Sequence, residues 1–266
     1  MNLDHLRQWI GREEVVEDIL TPTLVSRFNA TFDRQDPDPV LIHFCLGLPA
    51  APTSALGPDG HPTRGGFLPP VPLQRRMWAA GSVTFLAPIP VNRPVQRRSR
   101  ISDVTAKTGR SGPLCFVTVE HQLLSGSAPL VAERQDIVYR DPMPALDLPP
   151  APAGQVVRKV SPSAVLLFRY SALTFNAHRI HYDMPYAQED EAYPGLVVQG
   201  PMQATLLCQM AQDLNGTAPR QFDFRSLAPL FASTDFTLNA EETPEGLRLW
   251  TAAIGGPMAT EARARW

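Results

Sequence analysis

A proline-rich segment near the middle of the chain most constrains how the chain can fold. Five of the fifteen residues at positions 141–155 are proline, which has no backbone N–H to donate and favours an extended, semi-rigid chain. A regular helix or central strand cannot cross such a segment. The sequence therefore predicts a linker at residues 142–155 between two units, 1–141 and 156–266, each long enough to form a small domain.

Both units have the same order of elements, helices first and strands afterwards. In the first unit, helices are predicted at 4–20 and from the Thr21-Pro22 pair to about residue 32. In the second unit, Ser161-Pro162 and Gly200-Pro201 begin helices that end near residues 172 and 214. Runs of β-branched and aromatic residues predict the strands, which are 81–85, 95–107, 114–124 and 130–139 in the first unit and 222–227, 233–241, 247–253 and 259–266 in the second.

The helix that begins at Gly200 carries few charges, so it is expected to be buried. Residues 48–72 of the first unit are rich in proline and glycine and cannot form a long helix. One long apolar helix wrapped by an antiparallel sheet, an α+β fold, accounts for this pattern. Tyr170 and Phe175 are expected in the core.

Composition excludes several classes of protein. Hydrophobic residues make up 44% of the chain and the net charge is -2, which allows a core and gives no electrostatic basis for binding nucleic acid or an anionic membrane. The three cysteines are far apart, so neither a disulfide framework nor a thiolate metal site is expected. The first residues lack the apolar run of a signal peptide, and no apolar run approaches the roughly 18 residues of a membrane span. We therefore expect a cytoplasmic protein in a reducing compartment.

A cluster of polar residues follows the helix predicted to end near residue 172. His178 and His181, two of the six histidines, lie beside the amide of Asn176 and the carboxylate of Asp183. Imidazole can accept or donate a proton near neutral pH, so this density of polar groups indicates an active site. A metal site is not expected, because the HExxH spacing is absent and no third ligand can be identified.

The segment 174–187 resembles the catalytic loop of MaoC-like hydratases, which reads roughly Ser-Gly-Asp-x-Asn-Pro-x-His-x-Asp before a Tyr-Ala pair. His181 falls on the catalytic histidine of that family and Asp183 on the aspartate after it. Residues 186–187 are the Tyr-Ala pair. The catalytic aspartate of the family, however, falls on Asn176.

The run from Gly195 to Gly200 resembles the entry into the hot-dog helix of the same family, with Gly200 at the position whose amide binds the thioester carbonyl. The histidine segment is most similar to the hydroxyacyl-thioester dehydratase type 2 family, which includes the bacterial mesaconyl-C4-CoA and itaconyl-CoA hydratases. Residues 59–72 and 75–78 resemble the N-terminal dehydratase-like domain of those bacterial enzymes. The resemblance implies a double hot dog, with a catalytic C-terminal copy and an N-terminal copy that has lost most of its central helix.

The implied reaction adds water to the double bond of a short branched dicarboxylyl enoyl-CoA, of the itaconyl-CoA or mesaconyl-C4-CoA type. It is reversible as the dehydration of a 3-hydroxyacyl-CoA. The reaction needs a base, an acid and donors for the enolate oxygen. His181 is the expected base and the amide of Gly200, at a helix N-terminus, the expected donor. Because a carboxamide cannot shuttle a proton, Asn176 can only orient the water. Either His181 is the single acid/base, or His178 or Asp183 replaces the missing carboxylate.

Arginines are the expected substrate-binding residues, because a guanidinium group suits both the phosphates of CoA and a free carboxylate. No cofactor is expected besides CoA, which is part of the substrate, and the expected partner is an acyl-CoA. Two hot dogs in one chain allow either a monomer or a homodimer. The candidates for substrate binding are Arg64, Arg75, Arg76, Arg179 and Gly195.

Two other functions are compatible with the same fold. A hot-dog thioesterase would hydrolyse the thioester with a carboxylate near the thioester carbon, for which Asp183 is the candidate. A non-catalytic protein would only bind the acyl thioester. Thiol released from an enoyl-CoA indicates the thioesterase, and loss of enoyl absorbance without thiol release indicates the hydratase.

Overall fold

Ten strands form one continuous antiparallel sheet in the computed structural model, which describes residues 1–109, 112–142 and 148–266. Each half of the chain contributes five of them. The strands of the first half are β1 (Glu13–Ile19), β2 (Arg75–Phe85), β3 (Pro94–Gly109), β4 (Gly112–Ser125) and β5 (Ala128–Arg140). Those of the second half are β6 (Val156–Val160), β7 (Gln221–Ser226), β8 (Phe236–Thr243), β9 (Gly246–Ala253) and β10 (Met258–Arg265).

The order of the strands repeats between the two halves. Across the sheet it runs β1-β3-β4-β5-β2-β7-β10-β9-β8-β6. Counted within each half, the order from either edge to the middle is therefore 1-3-4-5-2, and β2 pairs with β7 at the centre. Two copies of one unit thus share a sheet. The boundaries of the predicted linker stay a prediction, since residues 143–147 lie outside the described residues.

The described residues form five α-helices, and their starts agree partly with the sequence. Thr21 caps the second, because its Oγ1 accepts the backbone N–H of Leu24 at 3.1 Å. The third is capped in the same way by Ser163 rather than by Ser161. The five helices are α1 (Leu3–Arg7), α2 (Pro22–Thr31), α3 (Ala164–Leu173), α4 (Met184–Glu189) and α5 (Gly200–Asn215).

The helix predicted over 4–20 is wrong beyond residue 7. Gly11 has a φ of 86°, a left-handed conformation that ends the helical segment and that glycine adopts without strain. Strand β1 follows, with alternating exposure along its length, because it lies at the edge of the sheet and pairs only with β3. The alternation of exposure along the segment is that of a strand.

The long helix α5 is the centre of the second half, as the sequence predicts. Its apolar residues Met202, Leu207 and Met210 are at most 1% exposed. The buried Gln203 fixes the helix to the sheet, since its Oε1 accepts hydrogen bonds from Thr251 at 2.7 Å and Thr260 at 3.0 Å. A buried amide with these partners sets the helix at one height against the sheet.

The first half lacks such a helix. Between α2 and β2, where α5 stands in the second half, residues 32–74 form only the short 3-10 helices Ile42–Cys45 and Thr53–Ala55 and irregular chain. The expected loss of the central helix from the N-terminal copy is therefore confirmed.

The core joins both halves. Phe28, Ile42 and Leu46 of the first half belong to the same buried cluster as the residues of α5. Tyr170 is buried as expected, but the expectation for Phe175 is wrong: it is 63% exposed and its φ is 48°. It follows the last turn of α3, where the chain leaves the core.

All three cysteines are buried and unpaired. No helix within the described residues is both long and apolar enough to cross a membrane.

Candidate active site

A cavity of about 2070 Å³ opens where the first half lacks its helix. This volume is ample for the acyl and pantetheine parts of a thioester. Both halves line it, with His61, Arg75 and Arg76 from the first half and Asn176, His178, His181 and Gly200 from the second among the lining residues.

His181 is held in the cavity wall by its own ring nitrogen. Its Nδ1–H donates to the carbonyl of Val197 at 2.7 Å, so the proton of the neutral ring is on Nδ1 and Nε2 keeps a lone pair. The residue is 7% exposed. Burial lowers the pKa of His181 to about 4, against the opposing effect of the Val197 hydrogen bond. The imidazole is therefore neutral at pH 7 and can accept a proton.

Helix α5 points its N-terminus into the same cavity. The first N–H groups of a helix have no partner within it and hold a partial positive charge. No side chain of the preceding residue, Gln199, caps them. That side chain donates instead to the carbonyl of Leu167 at 2.9 Å and to Ser171 Oγ at 3.0 Å, which ties the start of α5 to α3. Gly200 and His181 thus line the same cavity, and their catalytic roles stay a prediction.

Asn176 also lines the cavity. Its Oδ1 accepts the backbone N–H of His178 at 3.1 Å, an Asx turn that shapes the loop. The NH₂ of the carboxamide can therefore donate a hydrogen bond to a ligand. Neither atom can transfer a proton at neutral pH.

Asp183 and Arg179 are placed away from the cavity lining. Asp183 Oδ1 accepts the backbone N–H of Tyr186 at 3.2 Å, at the start of α4, and its Oδ2 pairs with Arg179 Nε at 2.9 Å. These two contacts lower the pKa of Asp183. The guanidinium of Arg179 also donates to the carbonyl of Pro58 at 3.0 Å. Both residues therefore hold the loop together and do not face the space where a substrate would bind.

The first half contributes a carboxylate and an imidazole that the sequence did not single out for catalysis. Asp59 Oδ2 lies 2.9 Å from His61 Nδ1, and Asp59 Oδ1 accepts the backbone N–H of His61 at 3.0 Å. The His61 ring lies against the ring of His178, with their centroids 4.1 Å apart. The His178 ring is in turn 5.3 Å from that of His181. Three imidazoles and one carboxylate therefore form a contiguous cluster.

The electrostatics of this cluster keep the imidazoles neutral. Burial lowers the pKa of His61, although the hydrogen bond with Asp59 opposes this. Burial and the neighbouring His61 and His181 lower the pKa of His178. Burial raises the pKa of Asp59, but its hydrogen bonds with His61 outweigh that effect and hold the pKa well below its usual range. The pair is therefore an ionised carboxylate beside a neutral imidazole.

The loop that carries this pair is fixed to the second half by a glycine. Gly60 has a φ of 86°, and a Cβ atom there would lie 1.9 Å from the carbonyl oxygen of Ala177. The backbone N–H of Arg179 donates to the carbonyl of Asp59 at 3.0 Å. The Asp-Gly-His spacing at 59–61 could have indicated a tight turn with polar flanks, but nothing in the sequence indicated which loop it meets.

The donor atoms of Asp59, His61 and His178 lie within 4.8 Å of one another, and these residue types bind zinc in other proteins. In this arrangement Asp59 Oδ2 is already hydrogen-bonded to His61 Nδ1, so the two nearest donors are engaged with each other. The other trio considered from the sequence, His178, His181 and Asp183, is not assembled, because Asp183 pairs with Arg179. The expectation of no metal stays a prediction.

The candidate arginines differ in the protein groups that bind their guanidinium groups. Arg64 donates to the backbone carbonyls of Val71, Leu73 and Gln74, and so braces the irregular segment of the first half. Arg75 is buried and pairs with Glu191 at 2.7 Å. Both line the cavity, but their charged groups are committed to the protein.

Arg76 is half-buried and lines the cavity. Among the described residues, no carboxylate lies within 4.0 Å of its guanidinium group. Of the other candidates for substrate binding, Gly195 does not line the cavity. Arg76 is therefore the candidate arginine that keeps charge available for a ligand.

Comparisons with known proteins identify the family. The chain matches the family model of hydroxyacyl-thioester dehydratase type 2 over residues 41–232. It is 45% identical over 269 residues to mesaconyl-C(4)-CoA hydratase from Chloroflexus aurantiacus, an alignment that covers 96% of this chain and 95% of the relative. This chain belongs to the hydroxyacyl-thioester dehydratase type 2 family. The prediction of an enzyme that hydrates or dehydrates acyl thioesters is thereby confirmed at the level of the family.

Solved structures agree on the fold of this dehydratase-family chain. A MaoC-like dehydratase from Phytophthora capsici aligns with a TM-score of 0.76 at 11% identity, covering 100% of this chain and 98% of that one. A protein from Mycobacterium tuberculosis described as a double hot dog aligns with a TM-score of 0.57 at 14% identity, covering 97% of this chain and 96% of that one. At such identities the likeness concerns the fold alone, and it confirms the α+β double hot dog.

Proposed function

We propose that this member of the hydroxyacyl-thioester dehydratase type 2 family adds water to the double bond of a mesaconyl-C4-type CoA thioester and catalyses the reverse dehydration. One observation carries the proposal: a buried, neutral His181, its Nδ1 tied to Val197 and its Nε2 unprotonated, shares a cavity with the N-terminus of α5. His181 takes a proton from water while the N–H of Gly200 stabilises the enolate oxygen. Asn176 orients the water. No cofactor beyond the CoA of the substrate is needed for these steps.

The substrate class is supported by the relative that is 45% identical over nearly the whole chain and is named for mesaconyl-C(4)-CoA. In such a thioester the free carboxylate is attached to the β-carbon, the atom that water attacks. A cation that binds it must therefore lie near the catalytic histidines. Arg76 is the candidate for this role, because it lines the same cavity as His61, His178 and His181 and no carboxylate in the described part of the chain engages it.

Part of the cavity wall in the first half is polar, which is compatible with a dicarboxylyl group. His121 and Glu133 are buried there, on neighbouring strands β4 and β5. Arg97 on β3 lines the same wall. An alkyl chain placed against these polar and charged groups would remove their hydration without replacing it.

The test is a panel of purified CoA thioesters assayed for two signals at once. Mesaconyl-C4-CoA, itaconyl-CoA, crotonyl-CoA and a long-chain enoyl-CoA are incubated with the protein while enoyl absorbance and free thiol are recorded. We expect loss of absorbance without thiol release, fastest with mesaconyl-C4-CoA, and loss of most of this activity in His181→Ala. Thiol release would instead identify a thioesterase, and neither signal would identify a binding protein.

Arg76 is tested by comparing two substrates. We expect Arg76→Ala to raise the KM for mesaconyl-C4-CoA roughly 10- to 100-fold, the loss of one hydrogen-bonded charge, with little change for crotonyl-CoA, which has no free carboxylate. Arg93→Ala, an exposed arginine on the surface, is the matched control. Equal effects on the two substrates would remove Arg76 from carboxylate binding.

We further propose that a single chain forms a complete active site and acts in the cytoplasm. His61 and Arg76 come from one half and His181 and Gly200 from the other half of the same chain. Three buried, unpaired cysteines are typical of a reducing compartment. To test whether one chain is sufficient, the protein is diluted through the concentration at which any dimer dissociates. Unchanged activity per chain would support a complete active site in each chain.

A further inference from the structure

We infer, on the basis of the proposed hydratase function, that Asp59 and His61 form a second acid/base pair of the active site. The pair delivers the proton to the α-carbon in hydration and removes it in dehydration. It thus performs the task that the carboxylate missing at Asn176 would otherwise share with His181.

The pair has the contacts of a polarised imidazole. Asp59 accepts hydrogen bonds from both the ring Nδ1 and the backbone N–H of His61. The first bond fixes the proton on Nδ1 and leaves the lone pair on Nε2. The same carboxylate stabilises the imidazolium that forms when Nε2 takes up a proton. His181 has only the neutral carbonyl of Val197 in that position.

The three imidazole rings of the cluster pack against one another. His178 lies between the other two, with centroid distances of 4.1 Å to His61 and 5.3 Å to His181. All three line the same cavity. Of the three rings, His61 is the one beside a carboxylate, so an added proton in this cluster is best stabilised on His61.

The loop is held rigidly enough to position a catalytic ring. Two contacts from Arg179 reach it, one from its backbone N–H to the Asp59 carbonyl and one from its guanidinium to the Pro58 carbonyl. Gly60 packs directly on Ala177. Since backbone contacts already fix the loop, the side chains of Asp59 and His61 are not required for its docking. The carboxylate and the imidazole are half-buried and line the cavity, where they can reach a bound substrate.

The proposed steps balance. His181 Nε2 takes a proton from water as the water oxygen bonds to the β-carbon and the electron pair of the double bond moves to form an enolate on the thioester oxygen. His181 returns its proton to solvent in the open cavity, and His61 takes up one from the same solvent, where Asp59 stabilises the charge. His61 releases it to the α-carbon as the enolate electrons form the new C–H bond and the carbonyl returns. One water is consumed and every imidazole ends neutral. Dehydration follows the same steps in reverse.

The test uses His61→Gln and Asp59→Asn in the full chain, with His5→Gln, an exposed histidine outside the cavity, as the control. We expect kcat to fall roughly 100-fold in His61→Gln and less in Asp59→Asn, with KM for mesaconyl-C4-CoA nearly unchanged. His5→Gln retains wild-type turnover. Thermal unfolding and mesaconyl-C4-CoA binding, measured on each variant, identify one that is misfolded.

Two further measurements separate a catalytic role from a structural one. When the hydration product carries deuterium on its α-carbon, the isotope effect on kcat for dehydration rises in His61→Gln, because breaking the C–H bond becomes slower than the other steps. Added imidazole restores part of the activity of His61→Ala. A ring that only shaped the loop would lower kcat without either effect.

The outcomes distinguish this inference from the proposed function. Wild-type protein that hydrates none of the thioesters contradicts the proposed function itself. If the wild type is active, two results in His61→Gln overturn only the role of the pair. One is near-normal turnover, and the other is reduced turnover with an unchanged isotope effect. Activity that is lost on treatment with EDTA and restored by Zn²⁺ would assign Asp59, His61 and His178 to a metal instead.

Discussion

At the scale of single residues, the active site depends on histidines that burial keeps neutral. His181 must accept a proton in the proposed mechanism, so activity requires its neutral form. Its pKa of about 4 means that this form persists well below the usual pKa of histidine, about 6.5.

We therefore expect the acid limb of kcat/KM to lie below pH 6. The neighbouring imidazoles act in the same direction, because His61 and His178 lose their charge more readily than free histidine. A profile measured from pH 4 to 8 with mesaconyl-C4-CoA checks this. A limb centred near 6.5 would contradict a buried, neutral base.

Asn176 is the residue at which this chain departs from the MaoC-like pattern, and its substitution tests why. Asn176→Asp keeps the Oδ1 that accepts the His178 N–H, so the loop should fold. The added negative charge repels the free carboxylate of a dicarboxylyl substrate. We expect KM for mesaconyl-C4-CoA to rise roughly 10-fold, and KM for crotonyl-CoA to stay the same. Faster turnover of both substrates in Asn176→Asp would mean that the amide does not serve to avoid repulsion of the substrate carboxylate.

The sequence indicated one half of this candidate site and not the other. His181, Asn176 and Gly200 could be predicted because they lie in one short segment with a recognisable spacing. Asp59 and His61 could not, because their role depends on a loop of the first half meeting a loop of the second. That contact arises from tertiary packing at Gly60, and no local pattern encodes it.

At the scale of elements, the sequence predicted those helices and strands whose formation depends on neighbouring residues. The Thr21-Pro22 cap, helix α5 and eight of the strands follow from capping residues and patterning. The helix expected over 4–20 failed because a glycine with positive φ and pairing with β3 outweighed helix propensity. The edge strand β6 was also missed, since it is only five residues long.

The docking of the loop 57–63 gives a prediction at this scale. Gly60→Ala puts a Cβ atom where the carbonyl oxygen of Ala177 lies, so the loop must shift and carry His61 away from His178. We expect kcat to fall more than about 10-fold, because a displacement of about 1 Å in a catalytic group is this costly. Gly11→Ala is the control, since Gly11 has the same φ of 86° and a Cβ there meets nothing within 4 Å. Turnover equal in both variants would contradict the importance of the docked loop.

At the scale of the whole molecule, neutral buried histidines make stability depend on pH. The unfolded chain binds protons on these histidines below about pH 6.5, whereas the folded chain resists protonation, as His181 does until about pH 4. The free energy of unfolding therefore falls as the pH is lowered through this window. The histidines concerned are His61, His121, His178 and His181.

We expect the melting temperature to be lower at pH 5 than at pH 7.5. Glu133 does not account for this drop, because its pKa of about 2 keeps it ionised throughout the window and its contribution is lost only at more acidic pH. Calorimetry at several pH values makes the comparison. An unchanged or higher melting temperature at pH 5 would mean that the histidines are more accessible to protons than the structure implies.

The pairing of β2 with β7 unites both copies within one polypeptide. In a symmetric homodimer each mutation occurs twice, once in every subunit. Here Asn176 and the Asp59-Gly60-His61 turn each occur once. One copy can therefore diverge while the other retains the catalytic helix. A mutant library confined to codons 57–64 would change one wall of the site and leave the second copy as it is.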